Sequence, residues 1–386
     1  MDQGVQVRGP GCSTPWREFA RHSASSPGRS VRGALAALLL LAANSGPRAH
    51  ALDIVLTNDD GFESALTHAL YQRLLAAGHR VLISASTQDQ SGRGGYIEFL
   101  RPLGPVTQRS RGGCLQPGAT SLPGVGSLDA AGAALAPGCA ADPNVFWVDG
   151  TPAMSALHGI DVAAPLRFGH APDLVISGPN YGVNTGAVVN ASGTVNAALV
   201  AINRGVPAIA VSTAAPASYA PVLAGPARDA EVADIALRVA AALERARSRG
   251  HGKRAAPLPP GLGLNLNVPV FEAGHASALP WRYTDVGHAT ATLPYFVTDL
   301  CADAATRARI GAACAGDARS PLPGVAAALN GAALPAGLAS IEDRDPRSEQ
   351  NAVMAGAVTI SVIDGAPVTS PANSRQLRRM LHGLAR

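Results

Sequence analysis

The stretch Asp53-Ile54-Val55-Leu56-Thr57-Asn58-Asp59-Asp60-Gly61 decides how the rest of the chain is read. A short apolar run ends in two adjacent carboxylates and a glycine. The run reads as a buried strand. Ser64 to Ala77 reads as the helix after it, with Ser64 as N-cap and Gly78 closing its far end. The carboxylates then stand at the carboxyl end of a strand, where open α/β sheets bind ligands. Two neighbouring anions repel each other and lose solvation, and a hard divalent cation with oxygen ligands relieves both costs. The alternative is a solvated turn with Asp and Gly in ordinary turn positions.

The alternation continues outward from this stretch. Arg80 to Ala85, Phe146 to Val148, Asp173 to Ile176, Val206 to Ser212 and Leu262 to Val268 read as strands. Thr151-Pro152 opens a helix, and Thr194 to Asn203 and Asp229 to Arg247 form two more. Such a βαβα rhythm predicts an α/β fold: a doubly wound, mostly parallel, Rossmann-like sheet with helices on both faces. Residues 101 to 144 and about 286 to 340 break the rhythm. Both are rich in Gly, Pro and Ala without a period, and both are read as surface insertions. A strand over Ala357 to Val362 and a basic helix over Asn373 to Leu384 follow.

The first residues read as a leader. Arg29 and Arg32 precede the apolar run Gly33 to Ala43, and Ala49-His50-Ala51 presents small residues for cleavage. This is the pattern of a secretory signal peptide cut near Ala51, and the run is short for a membrane span. An uncleaved anchor is the alternative. The formal net charge is +4. Removing the six Arg and two acids (Asp2, Glu18) of residues 1–51 leaves 25 basic and 25 acidic residues among 335. That balance offers no electrostatic case for a nucleic-acid polymer as partner. Cys12 leaves with the leader, and Cys114, Cys139, Cys301 and Cys314 remain. An even number in an oxidising compartment suggests two disulfides. Their spacing favours Cys114–Cys139 and Cys301–Cys314, one in each insertion; the other two pairings and free thiols stay open. The expectation is an exported protein, periplasmic or secreted, without a stable membrane span after cleavage.

No GxSxG elbow, Walker A loop or HExxH helix is present. Three polar loops at strand ends take their place: Asn58-Asp59-Asp60; Ser91-Gly92; and Ser177-Gly178-Pro179-Asn180-Tyr181-Gly182-Val183-Asn184. On a doubly wound sheet they converge on one edge. They offer two carboxylates, a hydroxyl and an amide carbonyl, an oxygen-only set that suits Mg²⁺ or Mn²⁺, with Ca²⁺ a third choice. Ser192-Gly193-Thr194 opens a helix whose free N–H groups and hydroxyls suit an anion such as phosphate. Taken singly, each loop also reads as ordinary strand-to-helix turn chemistry.

In order along the chain, several motifs resemble the SurE family of metal-dependent survival-protein nucleotidases. They are Thr57-Asn58-Asp59-Asp60-Gly61, Ser91-Gly92, Gly150-Thr151-Pro152-Ala153, Ser177 to Asn184 and Ser192-Gly193-Thr194-Val195. Gly205 to Ser212 and Leu264-Asn265-Leu266-Asn267-Val268-Pro269 resemble the family's later strands. The resemblance covers about residues 52 to 270, and more loosely 341 to 364. It implies a metal held by Asp59, Asp60, Ser91 and Asn180, and a phosphate pocket lined by Asn58, Gly92, Asn184, Ser192, Gly193 and Thr194. It implies hydrolysis of a small phosphoester by a metal-activated water, with Asp59, Asp60 and Asn58 as catalytic residues. The main expectation is a 5'(3')-nucleotidase acting on nucleoside monophosphates. The alternatives are a broad acid phosphatase, an exopolyphosphatase, or a non-catalytic metal- or phosphate-binding protein on the same fold. Assembly as a homodimer or tetramer through C-terminal elements is implied as well. The expected division is a leader (1–51), a SurE-like catalytic core (52–270) and a C-terminal extension (271–386). Two departures bear on substrate choice. Met154-Ser155 stand where the family has Asp-Cys, and Thr185 to Asn190 replace an acidic, glycine-rich stretch.

Overall fold

All five residues of Asp53–Thr57 are buried, and the run forms the central strand β1. The computed structural model describes residues 51–365, apart from 119–120, 130–133, 215–224, 250–255, 303–305, 308–309, 315–319, 330–333 and 335–338. The leader and the helix expected over Asn373 to Leu384 lie outside the described residues.

On one side of β1 lie β2 (Arg80–Ser86) and β4 (Val145–Val148), both parallel to it, with β3 (Val125–Ser127) antiparallel at the edge. On the other side lie β5 (Leu174–Tyr181), β6 (Ala208–Thr213) and β7 (Leu262–Val268), all parallel. Beyond β7 come β8 (Trp281–Thr284) and β11 (Val358–Asp364), which give the nine-stranded order β3-β4-β2-β1-β5-β6-β7-β11-β8. A separate antiparallel pair is formed by β9 (Thr292–Val297) and β10 (Gly324–Leu329).

Side chains leave a strand on alternate faces, and the sheet is covered on both. Ile54 and Leu56 of β1, with Leu174 and Ile176 of β5, pack against one face. There they meet Leu66, Leu70 and Leu74 of α1 (Ala65–Ala76) and Val232, Ala236 and Val239 of α5 (Pro226–Arg249). Val55 and Val175 point the other way. That face is covered by α2 (Pro152–His158), α3 (Ala164–Phe168) and α4 (Gly193–Asn203), whose Val195, Ala198 and Ala201 are buried. The fold is therefore the doubly wound α/β sheet that the alternation predicts. Among the described residues no helix is long and apolar enough to cross a membrane.

Several expectations are corrected. The 101–144 segment is more than a surface insertion: it contributes β3, and its Val106 and Leu115 are buried in the core. The 286–340 segment, read as irregular, forms the β9–β10 hairpin. Residue 270 does not bound the sheet, because β8 and β11 of the C-terminal region complete it. Ser64 precedes α1 but makes no side-chain capping bond. Cys114 pairs with Cys139 and Cys301 with Cys314, each with Cα atoms 5.6 Å apart.

Candidate active site

The strand order reverses at β1. Its successors β2 and β4 lie to one side, and β5 to β7 lie to the other. A ligand crevice opens at such a switch point, beyond the carboxyl ends of the strands. Here Thr57 of β1 lies beside Ser177 of β5, so the Asn58–Gly61 and Gly178–Asn184 loops leave the sheet together.

A break in β5 shapes the second of these loops. The β5–β6 register shifts between Ser177 and Asn180. Gly178 sits there at φ +101, and a Cβ would come 2.2 Å from the Val211 carbonyl, so only glycine fits. Beyond it the Tyr181 N–H donates to Asp60 Oδ2 at 3.2 Å. Asn180 donates its Nδ2 to the Gly182 carbonyl at 2.8 Å, which leaves its amide oxygen as the acceptor end.

Asp59 is 3% exposed and faces the start of α4. The Thr194 hydroxyl donates to Asp59 Oδ1 at 2.7 Å. A Cβ on Gly193 would lie 2.8 Å from Asp59 Cβ and 3.0 Å from Oδ2, so the glycine lets the helix terminus close on the carboxylate. Ser192 caps α4, its hydroxyl accepting from the Val195 N–H at 3.1 Å. An N-terminus of this kind favours negative charge.

The remaining expected residues fall into two groups. Ser91 and Gly92 are exposed, on a loop tied to the site by the Gln90 N–H, which donates to the Asp59 carbonyl at 2.8 Å. The Gly94 N–H extends the tie to the Ala191 carbonyl, before α4. Asn58 and Asn184, by contrast, are buried behind the crevice. Asn58 donates to Thr67 and Pro179 and accepts from the Asp60 N–H, so it shapes the turn from within. Asn184 donates to Ser212 at 2.9 Å and Thr194 at 3.4 Å, so it holds the hydroxyl that serves Asp59.

Burial lifts both carboxyls well above their ordinary range, and the neighbouring Asp59 charge adds to the rise at Asp60. One hydroxyl, one backbone N–H and a nearby half-exposed arginine offset only part of this cost. Among the described residues no group of three or more His, Cys, Asp or Glu gathers as a metal site. The oxygens that the loops of the crevice carry are carboxylate, amide and hydroxyl, the chemistry a hard divalent cation selects. The residues present fit such an ion.

One residue escaped the sequence reading. Arg111 Nη1 lies 3.1 Å from the Asp60 carbonyl, 3.5 Å from Asp60 Oδ1 and 3.1 Å from Asp89 Oδ2. No motif marks it, because it sits in a segment with no period.

The family model for "Survival protein SurE" matches residues 54–292. The chain belongs to the SurE family. An acid phosphatase of Yarrowia lipolytica is 32% identical over 221 residues, which cover 56% of this chain and 56% of that protein. The 5'-nucleotidase SurE of Sorangium cellulosum is 43% identical over 150 residues, 38% of this chain and 48% of that protein. The matched stretches thus span about half the length of these two relatives. The crystal structure of the SurE protein from Aquifex aeolicus shares the fold, with a TM-score of 0.54 and 20% identity over 86% of this chain and 99% of that one.

Proposed function

We propose that this SurE-family chain hydrolyses phosphomonoesters with the help of a divalent cation, and that nucleoside monophosphates are its main substrates. The observation that carries this reading is the Asp59–Asp60 pair at the sheet's switch point, with Asp59 buried under the N-terminus of α4 and the Asp60 side chain 9% exposed beside it. The printed names of the relatives, 5'-nucleotidase and acid phosphatase, agree with a phosphoester as substrate. The second name favours a broad acid phosphatase as the runner-up reading.

Asp59, Asp60, Asn180 and Ser91 would hold the cation, which supplies polarisation of a phosphoryl oxygen and a lowered pKa for attacking water. Thr194 and the Tyr181 N–H keep the two carboxylates in one orientation. The first-turn N–H groups of α4 donate to phosphoryl oxygens as negative charge builds on them. The chain needs no covalent nucleophile for this chemistry. Export, cleavage near Ala51 and self-association belong to the same proposal, and two disulfides accord with an oxidising compartment.

Steady-state hydrolysis of 5'-AMP tests the reading. Asp59→Asn and Asp60→Asn should each lower kcat/KM by about a thousandfold or more, with an unchanged circular dichroism spectrum. EDTA should stop turnover, and an added divalent cation should restore it. Full turnover in a folded double variant would refute the proposal.

A further inference from the structure

We propose that Arg111 is the residue that meets the substrate's phosphate at the mouth of the crevice, and that the disulfide-closed insertion exists in part to deliver it. This rests on reading the site as a phosphomonoesterase. The class of ligand is the dianionic phosphomonoester, together with inorganic phosphate.

Three observations carry the inference. The first is position. Arg111 bridges the two loops that bear the carboxylates and Ser91, through Asp60 and Asp89. Its side chain is 46% exposed while that of Asp60 is 9% exposed, so the guanidinium touches the site and still faces solvent.

The second is that the position is built. The Arg111 N–H donates to the Thr87 carbonyl at 3.0 Å, and Gln88 Nε2 donates to the Arg109 carbonyl at 2.8 Å. Glu63, three residues past Asp60, accepts from Ser110 Oγ at 2.9 Å, from the Gly112 N–H at 2.8 Å and from the Cys114 N–H. Leu115 is then fully buried, and Cys114 is bonded to Cys139. The residues on both sides of Arg111 are therefore anchored, which an incidental surface arginine would not need.

The third is charge. Asp59, Asp60 and Asp89 place three acids around the crevice, and a divalent cation offsets two of them. A phosphomonoester near neutral pH brings about −1.5 to −2 more. A further cation at the entrance removes the resulting repulsion, and the arginine fork suits phosphate oxygens. Arg111 thereby favours monoesters over singly charged diesters.

The test uses the exported, disulfide-bonded protein with 5'-AMP and saturating divalent cation. Arg111→Ala should raise KM by about tenfold or more while kcat stays within about threefold, and Arg111→Lys should recover part of the loss. Millimolar inorganic phosphate should raise the melting temperature of the wild type and do so far less in Arg111→Ala. Dithiothreitol, with opening of Cys114–Cys139 confirmed by mass spectrometry, should raise the wild-type KM. It should leave that of Arg111→Ala unchanged, because the two lesions act on one group. Wild-type KM and phosphate response in Arg111→Ala would overturn the proposal, as would an undiminished effect of reduction in that variant. If the wild type itself fails to hydrolyse phosphomonoesters, the reading of the site falls, and the phosphate melting shift still decides the role of Arg111.

Discussion

The Thr194 hydroxyl has two partners, donating to Asp59 and accepting from Asn184. Removing it leaves a buried carboxylate without its side-chain donor. Thr194→Val should therefore cost about 1–3 kcal/mol in chemical denaturation, and kcat should fall about tenfold to a hundredfold. Thr194→Ser should stay close to wild type. An unimpaired kcat in the valine variant would mean that Asp59 needs no such support. The same residues show what a sequence reveals. Asp59 and Asp60 stood out because adjacent carboxylates at the end of an apolar run need a local reason. Arg111 could not, since its approach to Asp60 spans 51 residues and depends on how Glu63 gathers the loop. The buried amides of Asn58 and Asn184 were visible as loop residues, but their direction depends on partners brought by β5, β6 and α4.

Among the elements, the short helix α6 (Glu349–Met354) braces the site through β7 and the loop after β5. Its Glu349 is fully buried and accepts from Asn265 of β7 and Ser361 of β11. Asn265 in turn donates to the Asn184 carbonyl at 2.8 Å. Burial pushes the Glu349 carboxyl from its ordinary 4.5 up to about 8, and the donors from Ser361, Asn265 and Gly186 offset only part of that. A raised native value means that the folded protein keeps a proton which the unfolded chain releases. This contribution to stability is full below about pH 4.5, falls as pH rises to about 8 and is flat above. Melting temperature should thus decline more steeply between about pH 5 and about pH 8 in the wild type than in Glu349→Gln. Equal slopes would show that Glu349 is ionised in the native state. The strands that sequence revealed, β1, β2 and β4 to β7, are apolar runs bounded by turn residues. The half-exposed β3 has no such run, and the short run of β9 carries a proline, so both depend on pairing with other strands. The Gly178-Pro179 pair reads as a loop, yet β5 continues through it because the bulge absorbs the irregularity.

For the whole molecule, β1 starts at Asp53, directly after the small residues at which the leader is expected to be cut. N-terminal sequencing of the exported protein should give a start near Leu52, and light scattering at micromolar concentration should give a dimer or tetramer. Retention of residues 33 to 43 would refute export with cleavage, and a strict monomer would refute assembly. The seam between β1 and β5 has a consequence for timing. It joins residues 120 apart in sequence: Ile54 lies beside Leu174, and the Asp53 N–H donates to Asp173. Pairings this distant form slowly, because a long loop must close first. With cleavage near Ala51, as proposed, the carboxylates would be among the first residues of the mature chain, but their surroundings arrive only with Tyr181, Thr194 and Asn265. A chain threaded through a membrane in extended form therefore carries no working site. If the chain is exported and hydrolyses nucleotides as proposed, the nucleotides of the producing cell are spared until the polypeptide has left it.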